Sequence, residues 1–476
     1  MKKRSRLSLA VAAFLAVAVS FVVLGCGKNF YFAGRTLPPS GLTQRVLVAI
    51  DNPAGSLQFM DAYYDIRHPF NNPNGQFSIG GYSGVNPATI QNMPEEQSGL
   101  VYGSGDGSLA SISYAQEKLS STVVPGGTIS TSVFGSRKQD YFAAADQNAH
   151  ALMMYDVSLG SQLLLDVPGI YRISMNPNAT LVLGFVQNSN DVFTVIKLTP
   201  AQQTQYATQS AWTSAGFQDC EPQTLPRYCV GKVGDPSVLF DHPTKAIFSA
   251  DGQNVYVLNC GPECGGTKSG IVSIPLPSTV FNGNPAGPAG LPVINGAPGL
   301  TATSLLAVPG GATNAVQNGS TLYVAGQQVQ PDSLLAGYLS VVNLANSTVT
   351  AQYAISDGTH NKMLFADDNT LWVGSVHCQS GERFAQNQAG QNVQFGCLTR
   401  FDTSANTVTV DRYIGDLTGI ADVEGLHKIY VGEGGQVHIY RTSDFAELDN
   451  SQVTVTGTVS DVAYMDGSSD GNNTTY

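Results

Sequence analysis

Long apolar runs, basic charge and helical periodicity are all scarce in this 476-residue chain, and each scarcity removes a class of protein. After residue 25 no uncharged apolar stretch reaches the roughly 20 residues that a membrane-spanning helix needs. Charged residues are only 12% of the chain, so solubility rests on Asn, Gln, Ser, Thr and Gly, as suits an exported protein with polar loops. Residues 1–25 hold four of the 23 basic side chains and none of the 35 acidic ones; the remainder carries 19 against 35, a formal −16. Nucleic acid is therefore not an expected partner, because phosphate neutralisation needs Lys and Arg. The alternating helices of an α/β enzyme are missing too; only residues 199–214 read as a brief helix, placed between repeats. No H-E-x-x-H motif occurs. The stretch from Gly261 to Ser269 fails as a phosphate-binding loop, because Thr267 stands where Lys must follow Gly directly.

The N-terminus has the opposite character. Lys2, Lys3, Arg4 and Arg6 precede an uncharged apolar run over residues 7–25, the layout of a secretory signal. An uncleaved anchor helix is the alternative, since the run is about long enough to span a bilayer. Val23, Leu24, Gly25 and Cys26 resemble the bacterial lipobox, in which a small residue precedes a cysteine that receives diacylglycerol. The resemblance implies removal of residues 1–25 and acylation of Cys26, with fatty acids such as palmitate. Gly27 stands where an Asp tends to retain such proteins at the inner membrane, which favours the outer membrane of the cell envelope. Residues 26–44 then read as the lipidated cysteine and a flexible tether, with Pro38, Pro39 and no periodicity.

From residue 45 onwards one unit recurs: a short apolar strand, a polar turn often containing Asp-Gly or Asn-Gly, a strand ending in aromatic-Val, a loop and a third strand. Residues 245–276 are the clearest copy; others lie at 171–198, 318–344, 367–401 and 428–440, with weaker ones at 140–157 and 100–114. Strands this short cannot bury a core singly, and a spacing of 40–60 residues fits four-stranded blades. The expected fold is all-β, a β-propeller of eight blades, with seven as the alternative and a β-sandwich ranked below both. Residues 45–50 look like a second strand without a first, and residues 459–465 like a first strand with nothing after it. The two ends are expected to share one blade and close the ring, leaving no exposed sheet edge. The domain is placed at 45–466 and a disordered tail at 467–476. Asp466 to Gly471 echoes the start of a calcium loop, but the chain ends before the closing Glu. The segment SADGQNVYVLN at 249–259 resembles the repeat of YVTN-type β-propellers, with partial matches at 176–185, 319–326, 367–374 and 426–432. That resemblance implies a propeller in the cell envelope and no single activity.

Six cysteines remain after Cys26, in three local pairs: Cys220 with Cys229, Cys260 with Cys264, Cys378 with Cys397. Disulfides that pin loops are expected, with a zinc site as the rival. In propellers the loops leading into the first strands crowd the mouth of the central channel. Arg172, His242, Lys245, Asn314, His360, Lys362 and Asp461 occupy such positions, and their positive charges in an acidic chain hint at an anionic ligand. The leading expectation is a non-catalytic, lipid-anchored binding or scaffolding propeller for an envelope protein, peptide or glycan, without a cofactor. A propeller enzyme such as a lactonase or quinone-dependent dehydrogenase, and a structural subunit of an envelope complex, are the alternatives.

Overall fold

The computed structural model describes residues 35–469 apart from 53–54, 124–131, 177–178, 180, 199, 250–251, 277–299, 332, 334, 379–395, 412–414 and 449–452. The signal, Cys26, most of the tether and the end of the tail lie outside the described residues, as does Asp251. Among the described residues no helix is long and apolar enough to cross a membrane.

The strands form eight antiparallel sheets, which are the eight blades of a β-propeller. The innermost strands, in ring order, are Thr458–Tyr464, Pro87–Met93, Ser132–Gly135, Ile170–Met175, Pro243–Phe248, Asn314–Asn318, Thr359–Phe365 and Leu417–Val423. Blades are numbered in that order, and the end at which the inner strands begin is called the top. Blade 1 joins the two ends of the chain. Thr458–Tyr464 pairs with Arg45–Asp51, which pairs with Ser56–Asp61, and Val46 lies opposite Tyr464. Residues 77–79 add a short outer edge, with Phe59 N–H donating to Phe77 O and Ile79 N–H to Leu57 O.

Why the second strands read as continuous apolar runs is clear from the packing. Val46, Val48 and Ile50 face blade 8, against Tyr430 and Ile439. Leu47 and Ala49 face blade 2, against Ile90 and Val101. Successive side chains alternate between the two faces, and here both faces are buried, so neither position can be polar. Each fully buried Val, Leu or Phe contributes about 1.5–3 kcal/mol, and the same arrangement recurs between blades 3 and 4 and between blades 6 and 7.

Closure is reinforced by a buried ion cluster. The Arg45 guanidinium donates to both oxygens of Asp466 at 2.7 and 3.0 Å, to Glu117 Oε1 at 2.8 Å and to Tyr114 O at 2.8 Å. Burial alone would lower the Arg45 pKa, but the hydrogen bonds and charges of Asp466 and Glu117 outweigh it and raise it. Asp466 is thus committed to Arg45. The described start of the tail is tied down as well, with Gly467 O accepting from Arg35 and Ser468 donating to Glu424.

All three expected disulfides are present. The helical segment differs from expectation in place. It forms two short helices, α1 (Pro200–Gln205) and α2 (Gln209–Ser214), inside blade 4 rather than between repeats. They lead into Phe217–Glu221, a fifth strand outside Tyr228–Lys232, and Trp212 and Tyr206 pack beneath it.

Candidate functional site at the channel mouth

The inner strands carry a shared irregularity that builds the site. Six of the eight have a β-bulge near their top, leaving one residue unpaired: Ser460, Ala88, Tyr171, Thr244, Asn361 and Thr418 in blades 1, 2, 4, 5, 7 and 8. A bulge re-aims the neighbouring side chains. In four of the six the unpaired residue bonds the next blade. Tyr171 Oη donates to Pro243 O at 3.2 Å, Asn361 Nδ2 to Leu417 O at 3.0 Å, Thr418 Oγ1 to Val459 O at 3.0 Å, and Ser460 Oγ to Pro87 O. Each acceptor is the residue just before the next blade's own bulge, so these bonds stitch blade 4 to 5 and run from blade 7 through 8 and 1 to 2. Blade 5 has no such bond to blade 6: the inner strand of blade 6 has no bulge there, and the buried Thr244 hydroxyl has no partner among the described residues.

The residue after each bulge starts the regular register. These positions hold Asp461, Thr89, Arg172, Lys245, Lys362 and Gly419, with Asn314 equivalent in blade 6. Five of the seven channel residues expected from the sequence therefore share one level. Lys362 Nζ reaches Asp461 Oδ1 at 3.1 Å, passing blade 8, where Gly419 has no side chain to obstruct it. A Cβ on Gly419 would stand 2.6 Å from that same oxygen and 2.4 Å from Val462 N. Asp461 also accepts the N–H groups of Ile90 and Val462; burial nevertheless lifts its carboxyl above the ordinary value, against the pull of Lys362.

Lys245 is placed differently. Its ammonium donates to Asn314 Oδ1 at 2.9 Å, a neutral acceptor. Burial first, then the charges of Lys362 and Arg172, pushes its pKa down to about 8. Arg172 is exposed, with its guanidinium over the Tyr171 ring at 5.4 Å from the centroid. Three cations thus gather there, and of the carboxylates beside them Asp461 is held by Lys362.

Sequence reading missed one residue here. Glu263 sits on the short 3-10 turn Gly261–Cys264, clipped by the Cys260–Cys264 disulfide. It accepts from Gln327 N and Nε2, both at 3.0 Å, and Gln327 Oε1 accepts from Gly358 N. Burial raises the Glu263 pKa, while Gln327 and the nearby Arg172 oppose the rise. One loop of blade 5 is so tied through blade 6 to the approach to blade 7.

The two histidines do not join the cluster. His242 hydrogen-bonds Asp241 at 2.7 Å; Asp241 in turn accepts from Thr267 and Lys268 and organises a loop of blade 5. His360 lies within its strand, buried, with Nε2 2.9 Å from Ser356 O, and burial lowers its pKa to about 4.

No protein-family model matches the chain, and no curated protein matches it. Solved structures do. Dihydro-heme d1 dehydrogenase NirN in complex with DHE is similar at TM-score 0.53 and 11% identity, over 90% of this chain and 76% of that one. Apo AztD from Citrobacter koseri is similar at TM-score 0.46 and 10% identity, over 88% of this chain and 97% of that one. At 11% identity the first likeness concerns the fold alone, and the eight sheets define the class as a β-propeller.

Proposed function

We propose that this chain is an exported binding propeller, tethered through lipid on Cys26 and non-catalytic, which takes an anionic group of its ligand at the channel mouth. The observation that carries the reading is Lys245: a half-buried ammonium whose hydrogen-bond acceptor is neutral, set among two further cations. A carboxylate or phosphate there would relieve the repulsion between Lys245, Lys362 and Arg172, and low-dielectric channel walls strengthen that attraction. Export is supported by three disulfides, which persist in oxidising compartments. Kinship with YVTN-type propellers belongs to the same proposal. It is supported by the segment 249–259, whose turn places Gly252 at φ +66° before the strand Asn254–Asn259.

Calorimetric titration with inorganic phosphate and with citrate tests the site. Binding is expected to weaken roughly 10- to 100-fold in Lys245→Met, the loss of one hydrogen bond to a charged group. Absence of binding by any anion, or an unchanged affinity in the variant, refutes it. Cys26→Ala should release a folded protein from the membrane fraction; retention would refute the lipid anchor. A stoichiometric metal ion in the purified protein would favour a lactonase-like enzyme instead.

A further inference from the structure

The described chain begins on the bottom of the ring. Arg35 donates to Pro94 O at 2.9 Å and to Gly467 O at 3.4 Å, both just beyond the bottom ends of inner strands. Ser40 bonds the Glu117 carboxylate through its N–H and hydroxyl. Gln44 O accepts the N–H of Ala62 at 2.8 Å. The segment that follows Ala62 carries three exposed rings: Tyr63 at 59%, Tyr64 at 55% and Phe70 at 70% exposure. They stack edge to face, with centroids 4.8 Å apart between Tyr63 and Tyr64 and 4.9 Å between Tyr64 and Phe70. Leu37, 65% exposed, adds an apolar side chain from the tether on the same face.

The platform beneath the rings is firm. Asp61 and Ile66 exchange backbone hydrogen bonds, and Tyr63 N–H donates to Asp61 Oδ1. Asp65 accepts from Lys428 Nζ at 2.6 Å and from the Tyr430 hydroxyl. These bonds fix the backbone that carries Tyr63 and Tyr64.

We infer that Tyr63, Tyr64 and Phe70 seat the bottom face of the propeller in the headgroup layer of the membrane that holds the lipid. The inference rests on acylation of Cys26, proposed above. From Cys26 to Arg35 there are nine steps of chain, which span at most about 30 Å when fully extended. A leash that short, leaving from the face that bears the rings, keeps them at the bilayer surface. Tyrosine rings favour that interface because one end is apolar and the other wet. Seated so, the top of the ring, with Lys245 in its mouth, faces away from the membrane and is open to soluble ligands.

Quenching by brominated lipids tests the placement with the full-length acylated protein. The chain has two tryptophans, Trp212 and Trp372, and both are buried. Tyr64→Trp adds one at the bottom and Val329→Trp, at an exposed top position, adds one as control. In phosphatidylcholine vesicles with brominated acyl chains, Tyr64→Trp is expected to lose the added emission and Val329→Trp to keep it. Unquenched emission from Tyr64→Trp, in protein that floats with the vesicles and carries acyl groups by mass spectrometry, overturns the docking while leaving the anchor intact. Protein that is unacylated and does not float overturns both.

Discussion

Arg45→Met should weaken the ring at its closure and nowhere else. Arg45 is buried and donates to Asp466, Glu117 and Tyr114 O, so one side chain joins the first strand, the end of the last strand and blade 2. Methionine matches the aliphatic stem but leaves two buried carboxylates without their cation. Removing one partner of a buried ion pair costs about 3–5 kcal/mol, mostly from the stranded charge. Urea unfolding at pH 7, followed by circular dichroism, measures the loss. Hydrogen exchange should show faster opening in residues 45–51 and 458–464 than in blade 5, which lies across the ring. Adding Asp466→Asn and Glu117→Gln to Arg45→Met should recover much of the loss, because neutral amides tolerate burial better than unpaired charges. A loss under about 1 kcal/mol, within the range of exposed ion pairs, would show that the cluster does not hold the closure.

Gly419→Val should break the Lys362–Asp461 pair by steric obstruction; an intact pair with unchanged anion affinity would contradict the role given to that glycine. Stability should fall as pH rises from about 5 to 9. Burial, aided by Asp411, lifts the Glu433 carboxyl to about 9, and burial with Asp367 and Asp368 lifts Asp422 to about 8. The folded chain therefore keeps protons that the unfolded chain releases above its ordinary carboxyl pKa values, so stability present below those values is lost as pH climbs through the raised ones. Glu433→Gln should flatten that slope, and a urea midpoint equally pH-dependent in the variant would exclude Glu433 as a source. On the acid side His360, lowered to about 4, acts in the opposite sense: its neutral form is favoured by folding, so stability drops as pH falls from 6.5 towards 4.

The architecture was legible because its signals are local. Residues 45–50 are apolar at every position after Arg45, which only a strand buried on both faces tolerates, and they lack a first strand that residues 459–464 supply. Cysteines nine, four and nineteen residues apart could pair without long-range information. The channel mouth was legible in part. Arg172, Lys245, Asn314, Lys362 and Asp461 were recognisable from their place at the start of a repeat, but the bulges that bring them to one level depend on pairing with a second strand. Nothing in the sequence around Thr244 or Asn361 marks a bulge. His360 lies in the same strand as Asn361, one residue after its start at Thr359, and its ring turns to Ser356 O. Glu263, Gln327 and Gly358 come from three blades, and no spacing rule connects them.

Lys245 is a crowded cation whose titration should respond to a negative partner. Reductive methylation with carbon-13 formaldehyde, assigned by comparison with Lys245→Met, reports its titration by nuclear magnetic resonance. The expected midpoint is about 8 in the unliganded protein, moving upward when phosphate or citrate saturates the channel. A midpoint near the ordinary 10.5 that no anion shifts would contradict it.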